Sequence, residues 1–195
     1  AEYGAELIYR LSQSAARAGD AIGLAMCSDH LKASIQASFG KGIRYRFERY
    51  LSDINNYGGK KDFKRSVMEL NSSLGDSAII VMVSDFLGLP DDWERYMSLL
   101  TMKHQVIGIM LKDRRDRDLS DVNGQFMVGD PYSSSSKYID AKHYAKEYKE
   151  EALKHETYVR SVFNKLRSGC VLVLNGDSYD KTLRRFFEEI GKKSG

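Results

Sequence analysis

The stretch Ala78-Ile79-Ile80-Val81-Met82-Val83-Ser84-Asp85-Phe86 decides the fold. An unbroken apolar run from Ala78 to Val83, rich in β-branched side chains, follows the turn Gly75-Asp76. A short apolar run bounded by turn residues reads as a buried strand. It leaves the core at Ser84 and Asp85, so the end of the strand carries a carboxylate. Val106-Ile107-Gly108-Ile109-Met110-Leu111 and Cys170-Val171-Leu172-Val173-Leu174 repeat the pattern, and Ala21-Ile22-Gly23-Leu24-Ala25-Met26-Cys27 reads as a fourth strand buried on both faces.

Between these runs the apolar period lengthens to that of a helix. Leu7, Ile8, Leu11, Ala15 and Ala18 share one face of a helix over residues 3–18, with Gly19 placed to end it. Further helices are expected over 42–54, 62–74, 141–166 and 179–190, and one starting at Pro90-Asp91-Asp92. The stretch 112–140 is irregular. Gln125–Val128 and Lys137–Ile139 there form a small hairpin with a serine-rich turn at Ser133–Ser136. Strands alternating with helices predict one α/β domain over residues 1–195, a doubly wound, mostly parallel sheet with helices on both faces. In such a sheet ligands meet the carboxyl ends of the strands. Those ends are Ser28-Asp29-His30, Ser84-Asp85-Phe86, Lys112-Asp113 and Asn175-Gly176-Asp177.

Composition removes several classes of protein. With 42% hydrophobic residues and a formal net charge of +3 over 195 residues, disorder is excluded. Cys27 and Cys170 are the two cysteines, too few for a disulfide framework, and both read as reduced, buried thiols in a cytoplasmic protein. No apolar run approaches the ~20 residues of a membrane helix. The run Lys112-Asp113-Arg114-Arg115-Asp116-Arg117-Asp118 interleaves its signs and reads as a solvated loop.

Asp85 is the leading chemical candidate, either as a cap or as a ligand for Mg²⁺. Gly58-Gly59-Lys60-Lys61 opens a helix and lacks the spacing of a Walker loop. His30, His104, His143 and His155 lack metal-ligand spacing, and the last two are expected on the solvated face of a charged helix. No nucleophile motif accompanies Asp29-His30.

Several of these segments occur together and in order: Gly19-Asp20-Ala21-Ile22-Gly23-Leu24, Gly58-Gly59 leading into a helix, Val83-Ser84-Asp85-Phe86, and Leu183-Arg184-Arg185-Phe186-Phe187. In this the chain resembles the von Willebrand factor A-like domain of the uncharacterised family catalogued as domain of unknown function fifty-eight. The resemblance implies a metal-ion-dependent adhesion site in which Asp85 is the later metal-holding Asp. The position of the metal-holding Thr is taken by Lys61, whose ammonium repels a cation. The Asp-x-Ser-x-Ser loop is missing, together with the first, central strand that precedes it. The resemblance therefore implies a truncated domain with a degenerate site, its sheet completed irregularly or by homo-oligomerisation, and Mg²⁺ held only by a longer chain.

The expectation is a non-enzymatic protein–protein interaction domain, cytoplasmic or the soluble part of a membrane-anchored protein. Its partner face comprises Asp29, Gly59, Lys61, Ser84 and Asp85. The resemblance implies an AAA-type ATPase of the MoxR class as partner. One alternative is a divalent-metal-dependent phosphoester hydrolase using Asp85, Asp29 and Asp177. Another is an anion- or nucleic-acid-binding module using Lys60, Lys61, Lys64 and Arg65, which the weak, interleaved charge disfavours.

Overall fold

The computed structural model describes residues 2–40, 42–75, 77–118, 125–129 and 136–194. Among the described residues the main elements are, in order, α1 (Glu2–Ala18), β1 (Ile22–Cys27), β2 (Leu31–Ser38), α2 (Gly42–Ser52), α3 (Phe63–Ser73), β3 (Ile79–Ser84), α4 (Trp93–Thr101), β4 (Gln105–Lys112), β5 (Gln125–Gly129), β6 (Ser136–Asp140), α5 (Ala141–Lys165), β7 (Gly169–Leu174) and α6 (Tyr179–Ser194). The chain is mixed α/β. Its strands form a two-stranded sheet of β1 and β2, a three-stranded sheet containing β4 and β7, and a two-stranded sheet of β5 and β6. It divides into two compact units, Ala1–Val83 with Leu87–Gln105, and Ser84–Phe86 with Val106–Gly195.

In the first unit, α1 stops where Gly19 turns left-handed at φ 90°, and Asp20 N–H reaches back to the Ala15 carbonyl at 3.0 Å. β1 then differs from expectation. It is not buried on both faces but pairs antiparallel with β2, and its exposure alternates. Leu31-Lys32-Ala33-Ser34-Ile35-Gln36 carries the same period of two, which makes β2 a half-buried strand. Ile22, Leu24 and Ile35 pack with Ile43, Phe47 and Leu51, three residues spaced four apart on α2. Behind them, α3 and α4 pack together, with Phe63 edge-on to Trp93 at 6.1 Å. β3 is less buried than its run of apolar residues suggests, since Ile79 remains 67% exposed.

In the second unit, β4 and β7 pair in parallel, Gly108 opposite Cys170. A Cβ on Gly108 would come within 2.6 Å of the Phe163 ring of α5. A Cβ on Gly169, one step out of phase, would meet Ile190 and Phe186 of α6 within 2.9 Å. Alternate residues of a strand point to opposite faces, so α5 and α6 cover opposite faces of this pair. The core is Ile107, Ile109, Met110, Val159, Val162, Phe163 and Val173. The expected hairpin is present as antiparallel β5 and β6, while Ser133–Ser135 of its turn lie outside the described residues. Among the described residues, no helix is long and apolar enough to cross a membrane.

Candidate functional site

The strand end containing Asp85 is built from the second unit. Ser84 Oγ accepts the Phe86 N–H at 3.0 Å, a tight side-chain turn that ends the strand. Phe86 sits at φ 56°, a left-handed conformation that costs a bulky residue about 1 kcal/mol or more. Two contacts hold it there. Its ring is 2% exposed and meets Phe163 edge-on at 5.5 Å, and its carbonyl lies 2.9 Å from His155 Nε2. A carbonyl only accepts, so Nε2 carries the proton and Nδ1 is left as an acceptor. Lys112 Nζ lies 3.3 Å from that Nδ1 and donates to it.

Lys112, the first residue of the charged run, is thus not solvated as its sequence suggests, while Arg114, Arg115 and Asp116 after it are exposed as expected. Lys112 is 4% exposed and Glu156 5%. Lys112 Nζ stands 3.9 Å from Glu156 Oε1. Arg117 grips the same carboxylate in a fork, Nε to Oε1 at 2.7 Å and Nη2 to Oε2 at 3.2 Å. Burial pushes the Lys112 ammonium below its ordinary pKa, while the charges of Glu156, Asp116 and Asp85 oppose that shift. His155 is likewise half-buried and bonded, and does not face solvent as expected; the His143 side chain lies outside the described residues.

Around this buried group lies an exposed rim. Asn175 N–H donates to the Lys112 carbonyl at 2.8 Å, and Asn175 Nδ2 to Asp113 Oδ2 at 3.1 Å. Arg114 pairs with Asp177, which raises the Arg114 pKa. Asp113 is held below the usual carboxylate range, first by the Arg115 N–H and then by Asn175. Lys149 closes the rim on Asp118 at 2.6 Å.

The other predicted residues belong to the first unit, where Asp29 and Gly59 do come together through Ser28. Ser28 Oγ donates to Asp29 Oδ1 at 2.8 Å, and His30 Nδ1 lies 2.8 Å from the same oxygen. The Ser28 hydrogen bond leads in holding the Asp29 carboxyl below its ordinary range. Gly59, at φ 96°, lies so close that a Cβ there would stand 3.5 Å from Ser28 Oγ. Asp62 caps α3 by accepting the Arg65 N–H at 2.9 Å and ties back to the Ser28 carbonyl through its own N–H at 2.9 Å. Lys61 Nζ donates to the Leu87 carbonyl at 3.0 Å, and Arg65 Nε to Glu69 at 2.8 Å, so these two cations of the basic cluster are already engaged.

Ser84 and Asp85, with Asp177, belong to the second unit, and Asp29, Gly59 and Lys61 to the first. Among the described residues, no group of three or more His, Cys, Asp and Glu side chains could hold a metal ion. The two thiols are not activated. Cys27 is exposed rather than buried, and lost solvation with the Glu69 charge pushes its thiol up to about 11; lost solvation also raises Cys170 to about 11.

Sequence reasoning missed Lys112, His155 and Glu156 as a group. A signal was present, since Glu156 lies four residues after Ala152 and three before Val159, inside the apolar stripe of α5. A carboxylate in such a stripe needs a buried cation.

Residues 1–158 match the family described as Protein of unknown function DUF58. No curated protein and no solved structure matches the chain.

Proposed function

The chain belongs to the family described as Protein of unknown function DUF58, and from that premise we propose that it is a non-enzymatic protein–protein interaction module. One observation supports this reading above others: the polar side chains named around the Asp85 strand end are paired with one another. Asp113 is engaged by Asn175, Asp177 by Arg114, Glu156 by Arg117, and the His155 imidazole by Phe86 and Lys112. A general acid or base needs a site within reach of substrate and a free proton position. Groups locked in pairs instead make a rigid, charged rim, which suits docking and electrostatic steering of another protein.

The proposed docking face is the rim around Asp85, with Arg114, Arg115 and Asp116 exposed on it. In this reading the von Willebrand factor A-like architecture, its degenerate metal site and the MoxR-class AAA ATPase as partner follow from the resemblance of the motifs. Biolayer interferometry against a purified MoxR-class ATPase tests it. Binding should weaken about tenfold in Arg115→Glu and fall as salt rises, because a rim charge acts mainly on association. Absent binding, or equal binding by the two proteins, overturns the reading.

A further inference from the structure

We propose that the outer face of α2, in the first unit, docks on an anionic phospholipid membrane, a role that stands or falls separately from the rim of the second unit. Residues 40–52 hold Lys41, Arg44, Arg46 and Arg49 against the single acid Glu48, four cations to one carboxylate and a net +3. The whole chain also carries +3, so its remaining charges cancel and this segment holds the entire excess. These arginines are also unspent. α1, α3 and α6 each tie an arginine to a glutamate four residues away: Arg10 to Glu6, Arg65 to Glu69 and Arg185 to Glu189. Glu48 follows Arg44 by four residues as well, yet among the described residues the side chains of Arg44, Arg46 and Arg49 make no ion pair or hydrogen bond.

Exposed apolar groups stand at the same place. Ile43, Phe47 and Leu51 face the core, and at 3.6 residues per turn Tyr45 and Arg49 fall on the opposite side of α2. Tyr45 is 74% exposed; Phe39, three residues before the helix, and Ile54, two residues after it, are each 75% exposed. A protein partner would need such anchors gathered into one well-packed patch. Here Phe39 and Ile54 stand at the two ends of an 11-residue helix, with about 16 Å of helix between them. A fluid bilayer needs no matching shape. Guanidinium groups fork onto lipid phosphates, a tyrosine sits at the headgroup level, and a phenylalanine enters the acyl boundary. Single-stranded nucleic acid needs aromatic rings in series along a cationic groove, whereas Tyr45 is the one ring on the outer face of α2.

Co-sedimentation of the intact chain with vesicles of phosphatidylcholine and phosphatidylserine, about three to one, tests this. The chain should bind these vesicles, should bind pure phosphatidylcholine vesicles at least about tenfold more weakly, and should be released as salt rises. Arg46→Glu with Arg49→Glu should lower the partition coefficient about tenfold or more, and Phe39→Ser with Tyr45→Ser about fivefold. Lys181→Glu with Arg184→Glu makes the same charge change at exposed positions of α6 and should lower it by less than about threefold. No binding, equal binding to the two lipid compositions, or losses in the α2 variants no larger than in the α6 variant overturns the proposal. Binding of a fluorescent single-stranded oligonucleotide with no binding of vesicles overturns it too. The substituted side chains are exposed, and circular dichroism checks that each variant folds. Should one not fold, the lipid dependence of the unaltered chain decides.

Discussion

Two polar networks in this protein use similar side chains under opposite conditions. The Ser28–Asp29–His30 turn joins α3 through Glu69, whose carboxylate accepts the Leu31 N–H at 2.7 Å. That network is open to water, with the Asp29 and His30 side chains 45% and 42% exposed. The Lys112–Glu156 group has the same chemistry at 3% and 6% exposure. Water shares the charge in the first case, so any single bond contributes little. In the second case only the partners can answer each charge, so removing one leaves another stranded. Burial, more than the kind of bond, sets how much each network matters.

The comparison can be broken most directly at Glu156. Glu156→Leu leaves Lys112 and Arg117 facing an apolar side chain, and urea denaturation should show a loss of about 3 kcal/mol. A loss under about 1 kcal/mol would mean that the buried group is not held by its charges. Next in size is Gly59→Ala in the first unit. The left-handed φ of 96° suits glycine, and a methyl group there makes ordinary contact with the flexible end of Lys32 at 3.4 Å and with Ser28 Oγ at 3.5 Å. About 1 kcal/mol should be lost, most of it from the backbone.

His104 sharpens the comparison by placing a buried ionisable group in the first unit. It is 4% exposed, and its Nδ1 accepts the Ala78 N–H at 3.2 Å. Burial, then the Lys103 charge, pushes its pKa down. The native state thus binds the proton less readily than the unfolded chain, whose His titrates near about 6.5. The stability it contributes is present above that pH and is lost as pH falls below it. His104→Gln should flatten the denaturation midpoint between about pH 7 and 5. The smallest effect belongs to Asp29→Asn. The lowered Asp29 pKa contributes stability above the ordinary carboxylate range, which is lost as pH falls through the folded value. The variant should match the wild type near neutral pH and show a shallower acid limb, read by circular dichroism.

Much of the backbone plan was legible in the chain. The runs at Ile79–Ser84, Gln105–Lys112 and Gly169–Leu174 formed strands because continuous apolar runs bounded by turns have few other solutions. The helices α1, α2, α3 and α5 start and stop within a few residues of their period and cap signals. β2 was missed because its alternation is carried by weak residues such as Ala33, Ser34 and Ala37. Of the site, Asp85 was visible as a carboxylate closing an apolar strand, and Asp29 with Gly59 as loops after strands. Lys112 was misread because a run of mixed charge looks solvated whatever it packs against.

The sequence by itself determined the alternation of helix and strand, the strand-end positions of Asp29 and Asp85, and membership of the DUF58 family, since these depend on local period and motif order. The tertiary structure alone decided that β1 turns back on β2, that Phe86 is held left-handed by His155, and that Lys112 and Glu156 are buried together. Local pattern places a charge on an element. Whether that charge is solvated depends on which distant residues close over it, and Glu156 comes 44 positions after Lys112 along the chain.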